Sequence, residues 1–432
     1  MEKSNLSLVH ASLTACRPVP GRVPMSRPSL TLRPNLLVPS IAAVFLALAG
    51  CNADPADTDA ADTVDTDAAD TDGTDIPEDV DGDGYLAAED CDDSDAGLHA
   101  WGPTSGYYRF SSQAEIDAFC TWFEGTSCGG TVDALTIVGS AASNLDGLDC
   151  VTHITGDLDI ASNPALTNVD GLAGVTSVGG NLNLFDNGAL VNLDGLGALR
   201  SVGADLYLEY NGALKNVDGL GTLRSVEGDV YVQYNDALNN VDGLGALSSV
   251  AGQLFVNDND ALTNINGLAG VTTVGGHLSV YDNAALSNVD GLAALSSVDG
   301  NLTIWNNPRL RNLDGLTALS SVGGALHVTD NDALTNLDGL GALMSVGETL
   351  SIRDNDGLAN VDGLGAVSSV GRNLNVEYND LLTDLDGLGA VTFVGGDVAI
   401  TNNASLPAAA AQAFVGAIDA VVGNVTVENN GT

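Results

Sequence analysis

One interval governs this chain. Leu166, Leu190, Leu214, Leu238, Leu262, Leu286, Leu310, Leu334, Leu358, Leu382 and Leu406 recur every 24 residues, and so do Asn163, Asn187, Asn211 and their successors as far as Asn403. No insertion interrupts either series. A fixed period of this size marks a solenoid. Each repeat is too small to bury its apolar face alone, and repeats stacked in register build one continuous core. The consensus is L-x-N-[VL]-D-G-L-x-x-[LV]-x-S-V-G-x-x-[LV]-x-[VLI]-x-x-N-x-A.

Each recurring position in that phrase has a physical task. Leu182 and Leu184, with counterparts from Leu206 and Leu208 to Val398 and Ile400, alternate with polar or aromatic residues, which predicts a short strand with one buried face. Leu166, Val169, Leu172, Val175 and Val178 are expected to line the rest of a coil. The asparagine column is expected inside, bonding the backbone amides left over at each corner, because buried polar groups must be paired. Asp194-Gly195 and its equivalents are expected to supply a turn with a side-chain acceptor and a flexible φ. The chain carries 52 Gly, 5% aromatic residues and 44% hydrophobic residues, which suits many turns around a regular core and argues against global disorder.

The recurring NLDGL, SVGG and following N phrases, with the helix and Cys120 that precede them, resemble bacterial leucine-rich-repeat proteins of the receptor L-domain type. The resemblance covers roughly residue 110 to the end of the sequence. It implies a right-handed β-helix-like solenoid used to bind other molecules. The expected fold is therefore a β-rich solenoid of about eleven 24-residue coils over 158–406, after an N-terminal cap and first coils at 110–157. A C-terminal cap at 407–432 is expected to hold a helix opened by Pro407 and carrying Phe414, Ile418 and Val422, then a strand over 424–427 that closes the solenoid. At the other end, Ser112-Gln-Ala-Glu115 reads as a capping box for a short helix with Ile116, Phe119 and Phe123 on one face.

The segment before the repeat speaks of export. Ile41–Ala49 is an apolar run preceded by Arg27 and Arg33, and it leads into Leu48-Ala49-Gly50-Cys51. That sequence resembles the lipobox of bacterial lipoproteins, which implies removal of residues 1–50, lipidation of Cys51, and attachment to the bacterial outer membrane or cell surface; the stretch before Met25 is unusual for a signal, and Met25 is a candidate start of translation. Residues 51–78 hold the lipidated cysteine and an Asp-, Ala- and Thr-rich run expected to act as an extended acidic tether. In an exported chain Cys91, Cys120, Cys128 and Cys150 are disulfide candidates, and three pairings are open.

Residues 79–109 open with a calcium-loop spacing. Asp79, Asp81 and Asp83 occupy positions 1, 3 and 5, Gly84 the turn, Tyr85 the carbonyl position, and Asp90 the closing position. Such a loop wraps a hard cation such as Ca2+ in oxygens. With the following Cys91 segment it resembles the Asp- and Cys-rich metal-binding repeats of bacterial surface proteins.

The formal net charge of −44 sets the partners. It opposes binding to nucleic acid and admits divalent cations, cationic partners and neutral ligands. No phosphate loop, Cys/His cluster or nucleophile–base pair stands out, so the chain reads as a non-enzyme. The strand period places Phe185, Tyr207, Tyr231, Phe255, Tyr281 and Trp305 on one outward face. Exposed aromatics of this kind anchor protein or glycan ligands, and stacked aromatics also stabilise neighbouring strands. The function expected is a cell-surface binding module; the alternative is a structural envelope protein without a specific ligand.

Overall fold

The computed structural model describes residues 107–123 and 130–431. They form a β-solenoid. Every coil adds one strand, of four residues in all but Ala134–Val138, to a 14-stranded parallel sheet, which runs in chain order from Tyr107–Phe110 to Val425–Glu428. A second wall is made of two-residue strands, typically Ser-Val, in sheets of five and eight strands. The third wall is a stack of 3-10 turns, from Asp146–Leu148 to Asp386–Leu388.

Pairing is in strict register: Tyr231 lies opposite Tyr207 on one side and Phe255 on the other, and each apolar strand residue faces its equivalent. Leu182, Leu184, Leu190, Leu193, Leu196, Leu199 and Val202 are all fully buried, as are their counterparts in coil after coil, so the core is one continuous column. Burying each such side chain contributes about 1.5–3 kcal/mol.

The corners are held by asparagine. Asn211 Nδ2 donates to the carbonyls of Leu184 (2.8 Å) and Glu209 (3.0 Å), while its Oδ1 accepts the N–H of Asn187 (3.1 Å). The same scheme repeats from Asn163 to Asn430, with Ser140 at its start. Just before each of these asparagines the chain turns through a left-handed conformation, at Asp186, Tyr210, Tyr234, Asp258 and their equivalents.

Two local expectations need correction. In the Asp-Gly turn the side-chain acceptor is the asparagine two residues before the aspartate: Asn216 Oδ1 takes the N–H of Asp218 at 3.1 Å. The glycine that follows does not adopt positive φ. Its hydrogen is needed for space, because a Cβ on Gly219 would overlap the Leu193 carbonyl of the preceding coil. The C-terminal helix is also shorter than the apolar pattern indicated. It spans Ala408–Ala417, Ile418 is already extended, and Val422 is 70% exposed in the bend before the last strand. Val425 in that strand is 48% exposed where its counterparts are buried, so this end of the core is incompletely covered.

At the other end the helix Gln113–Phe123 lies under the first 3-10 turn. Its capping box is formed: Glu115 Oε2 accepts the N–H groups of Ser111 (2.6 Å) and Ser112 (3.0 Å). Cys120 is joined to Cys150, which ties the helix to the first coil.

Asn235→Ala is expected to cost about 2–5 kcal/mol, because it strands a buried N–H and buried carbonyls. Gly219→Ala should cost more than about 3 kcal/mol by overpacking. Gly221→Ala, whose Cβ would meet only Asp218 O at 3.2 Å, should be mild. Denaturant unfolding of the three variants checks the order.

Candidate functional site: the outward face of the long sheet

The outward side chains of each strand lie in two columns, and the left-handed corner residue adds a third. The six aromatics singled out above do not form one cluster; they fall into three groups. Tyr207, Tyr231 and Phe255 stack face to face, with centroids 5.0 and 5.2 Å apart and planes within 4°. Phe185 meets Tyr210 edge-on at 5.1 Å, and Tyr210 stacks on Tyr234 at 4.4 Å. Tyr281 and Trp305 form a tilted pair at 5.7 Å.

The first group is tied down. Tyr207 and Tyr231 donate their hydroxyls to Asp205 and Asp229, each at 2.8 Å, and both rings are half-buried. Burial first, then these carboxylates, pushes both phenols well above their ordinary range. With faces and hydroxyls engaged, this column has the form of a cross-strand ladder. Trp305 differs: it is 39% exposed, and its indole N–H donates to Asp330 at 2.6 Å. Tyr281 backs one side of it, while the next residue along the column is the small Thr329.

The sequence reading missed the corner tyrosines. Tyr210 is 44% exposed and Tyr234 37% exposed. Both sit at positive φ, +58° and +57°, where other coils carry Asp, Asn or Ser. A bulky side chain there costs of order 1–3 kcal/mol. The signal was available, since these residues fall on the same 24-residue spacing as Asp186 and Asp258. Tyr378 repeats the arrangement further along, beneath the Arg353 guanidinium at 5.3 Å.

Between the two tyrosine columns runs a polar ladder. Gln233 Nε2 donates to Glu209 Oε1 at 2.7 Å, and Asn257 Nδ2 donates to Gln233 Oε1 at 2.9 Å and to Asp258 Oδ2 at 2.9 Å. Burial raises the Glu209 carboxyl above its ordinary range, against the bond from Gln233. Asn257 has no exposed surface, and its Oδ1 has no hydrogen-bond partner. Such an orphaned acceptor costs about 1–3 kcal/mol.

A second ladder, also unforeseen, runs along the start of the strands. Asp157 Oδ1 accepts Asn181 N (2.7 Å), Asp205 Oδ1 accepts Asp229 N (2.7 Å), and His277 Nδ1 accepts Asn301 N (2.8 Å). The turn aspartates Asp170, Asp194 and their successors line an exposed edge. Among the described residues no group of three His, Cys, Asp or Glu side chains is placed to hold a metal ion. Cys51, the loop of Asp79, Asp81, Asp83, Tyr85 and Asp90, and the cysteines Cys91 and Cys128 lie outside the described residues.

Searches against protein-family models and against curated proteins find no match to the chain.

The phenols give a pH prediction. Burial and neighbouring aspartates push Tyr234 and Tyr281 up to about 12 from 10.0. A raised phenol favours the folded state fully below pH 10, and that contribution is lost as pH rises from 10 to about 12. Phenolate absorbance should therefore lag that of free tyrosine, and folded circular dichroism should decline within this window.

Proposed function

We propose that the chain is an exported, lipid-anchored protein of the bacterial cell surface. Its receptor L-domain-like, leucine-rich solenoid serves as a binding module for a protein or glycan and performs no catalysis. Cys51 would carry the lipid anchor, 51–78 would give reach, and the Asp79–Asp90 loop would bind Ca2+, for which its hard oxygen donors are suited. The observation that carries the reading is Trp305. In a chain with 5% aromatics, this tryptophan ring stands exposed on the sheet face with its indole fixed by Asp330. Fixed, amphipathic aromatic rings make effective anchors because little side-chain freedom is lost on binding.

A structural role without a ligand is the second reading, and the Tyr207–Tyr231–Phe255 stack favours it. Those rings pack on one another and on their own aspartates, as a ladder that stiffens the sheet would.

The full-length protein should capture a ligand from glycan panels or cell-envelope extracts. Trp305→Ala should weaken that capture at least tenfold with the unfolding temperature unchanged. Retained capture in Trp305→Ala, or none by the native protein, would shift the case to the structural reading. Loss only on chelation of calcium would move the site to the Asp79–Asp90 loop.

A further inference from the structure

The tyrosine-flanked ladder of Glu209, Gln233 and Asn257 has three features that together specify an occupant. The first is its hydrogen-bond polarity. Amide donors are passed down the ladder toward the Glu209 carboxylate, which leaves the Asn257 carbonyl oxygen as a buried, unpartnered acceptor at the far end. The Asn257 oxygen is enclosed and the Glu209 carboxylate is the part-exposed acceptor, so an occupant must bring a donor to Glu209.

Charge is the second feature. Over the coils of Phe185 to Thr329 the three outward columns contain Asp186, Glu209, Asp258, Asp282 and Asp330 and no Lys or Arg. In a chain of net charge −44 this favours a cation and repels carboxylates and sulfates. Tyrosine rings at the margin add to the attraction for an ammonium group.

Repeat length is the third. The trough runs across the strands, along the solenoid, so its equivalent positions recur about every 4.8 Å. An extended peptide presents like-facing side chains about every 6.6 Å and would fall out of step. A linear chain of pyranose units advances by close to one coil per sugar.

We propose that this trough binds a linear, amino-sugar-containing glycan, with a protonated amine directed at Glu209. The ligand runs parallel to the solenoid axis between the Tyr207–Tyr231–Phe255 stack and the exposed Tyr210–Tyr234 pair. The inference rests on the binding-module reading and adds a place and a chemical class to it. It also gives Tyr210 and Tyr234 a reason to occupy a left-handed position that costs a bulky residue: the corner puts their rings beside the trough, where Asp or Asn would leave it open.

Calorimetric titration of the full-length protein tests this, with glucosamine oligosaccharides, their N-acetylated counterparts and a lysine-rich peptide as probes. The native protein should bind the glucosamine oligomer at least tenfold more tightly than the acetylated one or the peptide. Glu209→Gln keeps the ladder and removes the charge, and it should lose at least tenfold. Tyr210→Asn, which installs a residue other coils use at this corner, should lose binding while the unfolding temperature stays the same or rises.

Failure of the glucosamine oligomer to bind, equal binding of the acetylated oligomer, preference for the peptide, or full binding by either variant would each overturn the proposal. If the trough variants keep a ligand that Trp305→Ala loses, the module reading survives without this site. If no probe or extract component binds, both fall.

Discussion

The structure depends on the buried asparagine ladder. Each coil turns a corner inside the protein, where backbone amides and carbonyls have no water, and an asparagine from the same or an adjacent coil satisfies them. Because Asn211 spans to Leu184 behind it and Asn187 reaches its Oδ1, a coil is complete only when its neighbour presents the same group at the same height. One extra residue anywhere in a coil would lift the next asparagine out of reach. The absence of insertions between Asn163 and Asn403 is thus a consequence of corner chemistry as much as of apolar packing. The close backbone contact at Gly219 belongs to the same constraint, since coils drawn together by these bonds leave no room for a Cβ.

A stack held in such register places like on like. For apolar residues and asparagines this is favourable; for carboxylates it brings equal charges to about 4.8 Å. The ladder at the start of the strands shows how that repulsion is limited. Aspartates at 157, 205, 229 and 397 share the column with Asn181, Gln253, His277, Asn301, Ala325, Thr349 and Asn373. Where Asp205 and Asp229 are neighbours, Tyr207 and Tyr231 donate hydroxyl groups to them and Oδ1 of each accepts a backbone N–H. The turn aspartates use the other remedy, lying at an exposed edge where water screens them.

How much of this was legible follows from which interactions have a period. The strands, the buried positions of Leu182, Leu184 and Leu190, and the corner role of Asn187 are set by the spacing and can be read from it. The reason for the turn glycine could not be read, because a backbone approach between coils leaves the same residue preference as a flexible φ. The division of the six aromatics into three groups was equally hidden. Tyr231 and Tyr234 are three residues apart yet belong to separate stacks, since the chain reverses hand at Tyr234. The pairing of Cys120 with Cys150 needed the helix to be placed under the first coil before it could be chosen.

The same constraint confines where individuality can be written. Two strand positions, the corner asparagine and the glycine beside the turn are committed to holding one coil on the next, and variation is left to the outward columns. There the residues are not arranged at random. Where the first column is bulky, at Tyr207, Tyr231 and Phe255, the second carries the flat polar ladder Glu209, Gln233 and Asn257. Where the first shrinks to Ser279 and Thr303, the second swells to Tyr281 and Trp305. Pure strand stabilisation would be served by aromatics in either column, and by Asp or Asn rather than tyrosine at the left-handed corners. The polar trough, the orphaned Asn257 oxygen and the strained Tyr210 and Tyr234 each carry a cost in stability, and all three fall within the coils from Phe185 to Tyr281. A further strained tyrosine, Tyr378 beneath Arg353, lies outside these coils, so it is the combination of strained tyrosines with the polar ladder, rather than strain alone, that marks a recognition surface.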